Sequence, residues 1–313
     1  MHVSKSNSDS SKRTSLLIAA LFAFGIVVSI LLWKLGTTKT DSTDAKTQYP
    51  QRIVSLTPSV TECLFALGCQ DKIVGVSQFC NYPPEASKLP RMGGRINPNF
   101  ERLLSLRPDL VIYQGNHQKV ESFCRTYGID AMKVEFKNID SIFSDIKMIG
   151  QTLGAGQQAE QVIARINKTI EDIRQTLSSS EKVRVFFSLG RLSGSMSSLT
   201  TIGGDTFISE LIELAGGENI FADLSQDYVE INKEALRRLD PDVIIDARPG
   251  ENLSDKEISS LENDWSDMPG LSAVKNGNVR ILTDTFLLMP TPRLTLTLDK
   301  IARVIHPEAF VDE

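Results

Sequence analysis

Residues 103–115, LLSLRPDLVIYQG, and residues 235–250, ALRRLDPDVIIDARPG, give the clearest indication of how this chain folds. Each segment is typical of a helix end, a Pro-Asp turn and a short apolar strand that is buried in a sheet. Pro108 and Pro241 hold the same position in the unit. The unit therefore occurs once in each half of the chain, which predicts two similar lobes rather than a solenoid of short repeats.

Short apolar strands alternate with amphipathic helices around both copies of this unit. The predicted strands are residues 53–56, 73–76, 110–113, 132–134, 183–187, 243–246 and 279–282. The predicted helices are residues 59–67, 100–106, 120–127, 207–215, 233–239 and 294–305. This alternation is typical of a parallel sheet with helices packed on it, so we expect an α/β fold in both lobes.

The segment between the two halves, residues 139–177, has a helical pattern instead of a strand pattern. Gly154 and Gly156 divide it into a shorter helix and a helix of about 20 residues, which would extend about 30 Å. We therefore expect an N-terminal α/β lobe at residues 51–152, a bridging helix at residues 153–181 and a C-terminal α/β lobe at residues 182–313. A ligand cleft should lie between the lobes.

The N-terminal region differs in composition from the rest of the chain. Residues 14–33 carry no charge, and a helix of that length spans about 30 Å, the thickness of a bilayer core. Basic residues precede the run, so we expect a cytoplasmic tail at residues 1–13, a transmembrane signal-anchor at residues 14–35 and a flexible linker at residues 36–50. This predicts a single-pass protein of the cell membrane whose body lies on the periplasmic or extracellular side. A cleaved signal peptide is the alternative, and it also predicts an exported body.

Composition and motifs argue against several classes of function. A net charge of −5 gives no electrostatic support for binding nucleic acid. The sequence has no Walker loop, no GxSxG motif and no HxxxH pair, so we predict no catalytic residue, no cofactor and no metal site of the protein's own. Cys63, Cys69, Cys80 and Cys124 form no CxxC pair, which leaves both free thiols and a disulfide open in an exported body.

Open α/β folds bind ligands beyond the carboxyl ends of their strands. The residues at and near these positions combine arginines, aromatic rings and small polar groups without a nucleophile–base pair, which suits binding better than catalysis. The candidates are Thr57, Pro58, Ser59, Phe79, Arg95, Gln114, Arg191, Arg248 and Phe286.

Four segments in order carry a family resemblance: RIVSLTPSVTECLFALG at residues 52–68, VGVSQFCNYPPEASKLPRMGG at 74–94, NPNFERLLSLRPDLVI at 97–112 and ELAGGENIF at 213–221. Over residues 52–307 the chain resembles the periplasmic cobalamin- and iron-chelate-binding proteins, the helical-backbone binding proteins of ABC importers. The resemblance implies two lobes joined by a rigid helix and delivery of the ligand to a membrane permease driven by a cytoplasmic ATPase. It also implies that Glu101 and Glu218, one on each lobe, dock onto permease arginines.

The resemblance implies a metal chelate as the ligand but leaves its identity open. Where the cobalamin binder of the family has tryptophans in its cleft, this chain has Arg95, Gln114 and Tyr228. Arg95, Arg191 and Arg248 would pair with an anionic iron–siderophore or haem propionate, so we expect arginines of both lobes to clamp the ligand. A flat corrinoid is the alternative ligand. The aromatic residues that would pack against it are Phe79, Tyr82, Tyr113 and Tyr228.

A transport binding protein is thus the leading interpretation. The alternative is a membrane-anchored sensory or interaction module that reuses the fold without a transport role. An enzyme is a weaker third interpretation, because no proton-transfer constellation is found.

Overall fold

The computed structural model describes Ser29 and residues 49–191, 196 and 199–310. The predicted tail, anchor and linker therefore lie outside the described residues, apart from Ser29, Tyr49 and Pro50. Within the described part, no helix combines the length and apolar character needed to cross a membrane.

The first sheet has four parallel strands in the order β2-β1-β3-β4. They are β1 Ile53–Ser55, β2 Ile73–Val76, β3 Leu110–Gln114 and β4 Asp130–Val134. The helices that connect them are α1 Pro58–Ala66, α2 Phe100–Ser105 and α3 Gln118–Tyr127, with short 3₁₀ turns at Gln70–Lys72 and Pro84–Lys88. β1 is fully buried and β3 nearly so, which explains their unbroken apolar sequences. We call residues 49–153 the first lobe.

Two consecutive helices link the sheets: α4 Ile139–Leu153, the last element of the first lobe, and α5 Gly156–Thr176. α4 begins with a reciprocal capping box between Asn138 and Ser141. It ends at Gly154, whose φ of 73° is a left-handed conformation that glycine adopts without steric strain. The interruption between the two helices thus lies where the glycines predict it. α5 packs against α4 and against two helices of the second half.

The second sheet has six strands, with β10-β9-β5-β6-β8 in order and β7 paired to β5. They are β5 Val183–Ser188, β6 Leu199–Ile202, β7 Gly217–Asn219, β8 Tyr228–Ile231, β9 Val243–Ala247 and β10 Val279–Leu282. The prediction of a parallel sheet is confirmed for β10, β9, β5 and β7, whereas the pairs β5–β6 and β6–β8 are antiparallel. β8 has no buried residue and therefore lacks the run of apolar residues by which a buried strand is predicted from sequence.

The second lobe, residues 183–310, carries five α-helices among its described residues. They are α6 Phe207–Leu214, α7 Lys233–Leu239, α8 Asp255–Asp264, α9 Ser272–Lys275 and α10 Leu294–Ile305, with 3₁₀ turns at Trp265–Asp267 and Pro307–Phe310. α8 has a capping box from Ser254 and Glu257 but buries only Leu261, so its sequence shows no clear apolar face.

One hydrophobic core runs through both lobes. It includes Ile53 and Ile112 of the first sheet, Ile166 of α5 and Ile245 of the second sheet, all at most 1% exposed. Because these side chains belong to one packed cluster, the lobes share apolar contacts as well as a chain connection.

Candidate ligand-binding site

A cavity of about 920 Å³ lies between the two lobes, beyond the carboxyl ends of the first sheet's strands. It is large enough for a ligand of several fused or linked rings. Seven of the residues that the sequence nominates line it, namely Thr57, Pro58, Ser59, Phe79, Arg95, Gln114 and Tyr228.

The turn from β1 into α1 forms one part of the wall. Thr57 precedes α1 but its side chain does not cap the helix, and its buried Oγ1 has no hydrogen-bond partner. Pro58 fills the first helical position, where a missing N–H costs nothing. This turn therefore brings an unsatisfied hydroxyl and the start of a helix to the edge of the cavity, a place suited to an acceptor oxygen of a ligand.

Large apolar side chains from both lobes are exposed at the cavity. Phe79 is 59% exposed, Ile96 73% and Tyr228 65%. Exposed apolar groups that cluster around a concave surface are typical of a binding site rather than of ordinary surface.

Lys137 joins the lobes along the cavity wall. Its Nζ lies 2.5 Å from Asp205 Oδ2 and 3.1 Å from Asp227 Oδ1, both on the second lobe. Hydrogen bonds from the ammonium to these carboxylates raise the pKa of Lys137, and hydrogen bonds from Lys137 and Asn138 lower the pKa of Asp205. Because all three side chains are partly exposed, the ion pairs are screened by solvent.

Two of the three arginines that are predicted to clamp the ligand, Arg191 and Arg248, lie away from the cavity, whereas Arg95 lines it. The Arg191 side chain is fully buried, with Nη1 2.9 Å from Asp264 and Nε 3.2 Å from Asp246. The Arg248 side chain is 7% exposed, and its Nη2 donates to the Arg191 carbonyl oxygen at 2.8 Å. Asp246 is fully buried near the end of β9. Burial raises the pKa of its carboxyl group, and the positive charges of Arg248 and Arg191 only partly offset this rise. The carboxylate holds both guanidinium groups inside the second lobe, so neither lines the cavity.

Three predicted aromatic contacts also lie elsewhere. Tyr82 stacks on the Arg293 guanidinium at 3.7 Å, and Tyr113 is buried and donates a hydrogen bond to Glu121 at 2.8 Å. Phe286 is half-buried against the main core. None of these three rings lines the cavity.

Comparison with known proteins identifies the family. The family model described as periplasmic binding protein matches residues 53–285. This chain belongs to that family.

Individual relatives support the assignment. A vitamin B12-binding protein of Vibrio cholerae is 30% identical over 267 residues, which are 85% of this chain and 91% of the relative. An uncharacterized ABC transporter substrate-binding lipoprotein of Bacillus subtilis is 29% identical, covering 83% of this chain and 82% of that one. The periplasmic heme-binding protein of Roseiflexus sp. RS-1 is 26% identical with a TM-score of 0.67, covering 83% of this chain and 99% of that structure.

The two glutamates that the family resemblance marks are both exposed. Glu101 lies in the first turn of α2, and Glu218 is the middle, exposed residue of β7. Neither lines the cavity. Their positions suit contact with a partner rather than with a ligand, and the docking role stays a prediction.

Other cavity residues were missed by the sequence reasoning. In the first lobe, Glu135 and Lys137 lie within three residues of the end of β4. They could have been predicted, because ligands of open α/β folds bind beyond the carboxyl ends of the strands. In the second lobe, the wall comes from the start of α6 and from loops beside β8 and α10, and none of these residues directly follows a predicted strand. These residues are Thr206, Phe207, Asp227, Leu288, Met289 and Pro290.

The four cysteines are free, buried thiols. Burial raises the pKa of Cys63 and Cys69, and it raises that of Cys124 to about 11. Thiols in this state are protonated at neutral pH and hence poorly reactive.

Proposed function

We propose that this protein captures a metal chelate, an iron–siderophore, a corrinoid or haem, in the cavity between its lobes. As a substrate-binding protein of an ABC importer it would deliver this ligand to a permease driven by a cytoplasmic ATPase. The observation that carries the proposal is a cavity of about 920 Å³ lined by exposed aromatic side chains of both lobes in a member of the periplasmic binding protein family. Relatives named for vitamin B12 and haem support the ligand class.

Matched aromatic variants test where the ligand binds. Native mass spectrometry of the protein purified from its own host should first show a bound metal chelate. In calorimetry with that chelate, Phe79→Ala and Tyr228→Ala should each weaken binding about tenfold, because each removes about 1–2 kcal/mol of apolar contact. Tyr127→Ala is the control, since Tyr127 is 53% exposed and lies outside the cavity. Unchanged affinity in both cavity variants would contradict the proposed site.

Residues 14–35 are further proposed to anchor the protein as a single-pass helix, with residues 36–50 as a tether. The uncharged run at residues 14–33 and the basic residues before it support this arrangement. Protease added to intact spheroplasts should release the binding body and leave a membrane-bound N-terminal fragment. A protein that appears in the medium without its first residues would instead show a cleaved signal peptide.

A further inference from the structure

The charges around the cavity cancel. Among the described residues that line it, the ionised side chains are Arg95, Glu135, Lys137 and Asp227, two cations and two carboxylates. Their nearest charged neighbours preserve the balance, because Glu135 lies 2.7 Å from Lys133 and Lys137 lies 2.5 Å from Asp205.

Lys137 is not available as a free cation for an anionic ligand. Its ammonium is shared by Asp205 and Asp227, so a ligand carboxylate or catecholate would have to compete with two carboxylates already in place. Arg95 is exposed at the rim, where water and salt screen its charge.

Apart from these four residues, the described polar side chains that line the cavity are neutral. Gln78, Asn97 and Gln114 offer amides, and Thr57 and Ser59 offer hydroxyls, one of which is buried without a hydrogen-bond partner. Such groups match amide, carbonyl or hydroxamate oxygens, and the exposed rings of Phe79 and Tyr228 match an apolar body.

We infer that the cavity selects a metal chelate of low net charge, and that Asp205 and Asp227 set this preference by neutralising Lys137. This inference rests on the proposed function. A carboxylate beside a cation discriminates against anionic ligands by repulsion as well as by occupying the cation.

The test titrates the full-length protein, held in lipid nanodiscs, with five probes. Two have low net charge, cyanocobalamin and a neutral ferric trihydroxamate, and three are anionic, a ferric triscatecholate, ferric citrate and haem. We expect one of the first two to bind at least about tenfold more tightly than any of the other three.

Asp227→Asn then tests the cause of the preference. The variant adds one unit of positive charge to the cavity and keeps the Lys137–Asp205 pair, so it should raise the affinity for the best anionic probe by about threefold to tenfold. Glu234→Gln makes the same charge change in the same lobe on an exposed side chain of α7 and should leave every affinity unchanged. An Asp227→Asn protein with unaltered affinity for anionic probes would overturn the assigned role of this carboxylate.

The outcomes separate the two proposals. Tightest binding of an anionic probe by the natural protein would refute the preference for low charge and keep the proposed function. Failure of a folded protein to bind any probe would contradict the proposed function together with the inference.

Discussion

The repeated unit ends differently in the two lobes. In the first lobe the strand finishes with Tyr113, Gln114 and Gly115, and the last two line the cavity. In the second lobe the corresponding residues are Asp246, Ala247 and Arg248, and all three are buried.

One carboxylate accounts for the difference. Asp246 is fully buried and draws Arg191 and Arg248 inward, whereas Tyr113 is satisfied by a single hydrogen bond to Glu121 and leaves its neighbours free to face the cavity. Equivalent strand ends therefore line the cavity in one lobe and form internal structure in the other, according to the partner that each terminal side chain contacts.

The largest expected effect comes from Asp246→Ala. Removal of the carboxylate leaves two buried guanidinium groups without their shared counter-ion, which should lower the free energy of unfolding by about 3–5 kcal/mol. Tyr113→Phe at the equivalent position deletes one hydrogen bond and should cost about 0.5–1.5 kcal/mol. Urea denaturation followed by fluorescence measures both, and equal losses would contradict the contrast between the lobes.

Glu62→Gln probes a contact that belongs to both lobes. Glu62 of α1 is 5% exposed and accepts two hydrogen bonds from Arg293, which precedes α10 and stacks on Tyr82. Loss of this charge-assisted pair should cost about 1.5–3 kcal/mol of unfolding free energy.

Asp205→Asn is the matched comparison for that contact, because it weakens an exposed interlobe ion pair. It should cost at most about 1 kcal/mol in the same denaturation experiment. A larger decrease in the free energy of unfolding for Asp205→Asn than for Glu62→Gln would show that burial does not determine how strongly an ion pair between the lobes stabilises the protein.

Each lobe also carries one exposed glutamate for which we predict a docking role, Glu101 on the first lobe and Glu218 on the second. Glu101→Ala combined with Glu218→Ala should reduce uptake in cells at least about tenfold and leave the dissociation constant of the ligand unchanged, because charge pairs at a rim chiefly set orientation and encounter rate. Glu160→Ala combined with Glu171→Ala, two exposed carboxylates of α5, is the control. Normal uptake by the first double variant would end the docking hypothesis.

The smallest effect is expected for Arg95→Ala. Arg95 is exposed at the cavity rim, so its removal should change the affinity for a chelate of low net charge by less than about threefold. Calorimetry at two salt concentrations measures this directly. A loss of about tenfold or more, the size expected for a desolvated charge-assisted contact, would restore Arg95 as an anchor of the ligand.

Local patterns predicted most of the framework. The predicted strands at residues 73–76 and 279–282 match β2 and β10, and the helices at residues 233–239 and 294–305 match α7 and α10. The first-lobe side of the cavity followed from strand ends, as Thr57, Ser59, Phe79 and Gln114 show. β6 and β8 were not predicted, because the sequences of short, partly polar strands do not show the apolar pattern of a buried strand.

The alternation of strands and helices, the interruption at Gly154 and the family could be predicted from the amino-acid sequence, since each depends on residues close together in the chain or on segments in a fixed order. Which charged groups line the cavity could be read only from the three-dimensional structure. Arg293 meets Glu62 across 231 positions of sequence, and Arg191 meets Asp264 across 73. Whether an arginine is available to a ligand or pairs with a buried carboxylate depends on such distant partners. A buried charge is stable only when the fold places an opposite charge beside it.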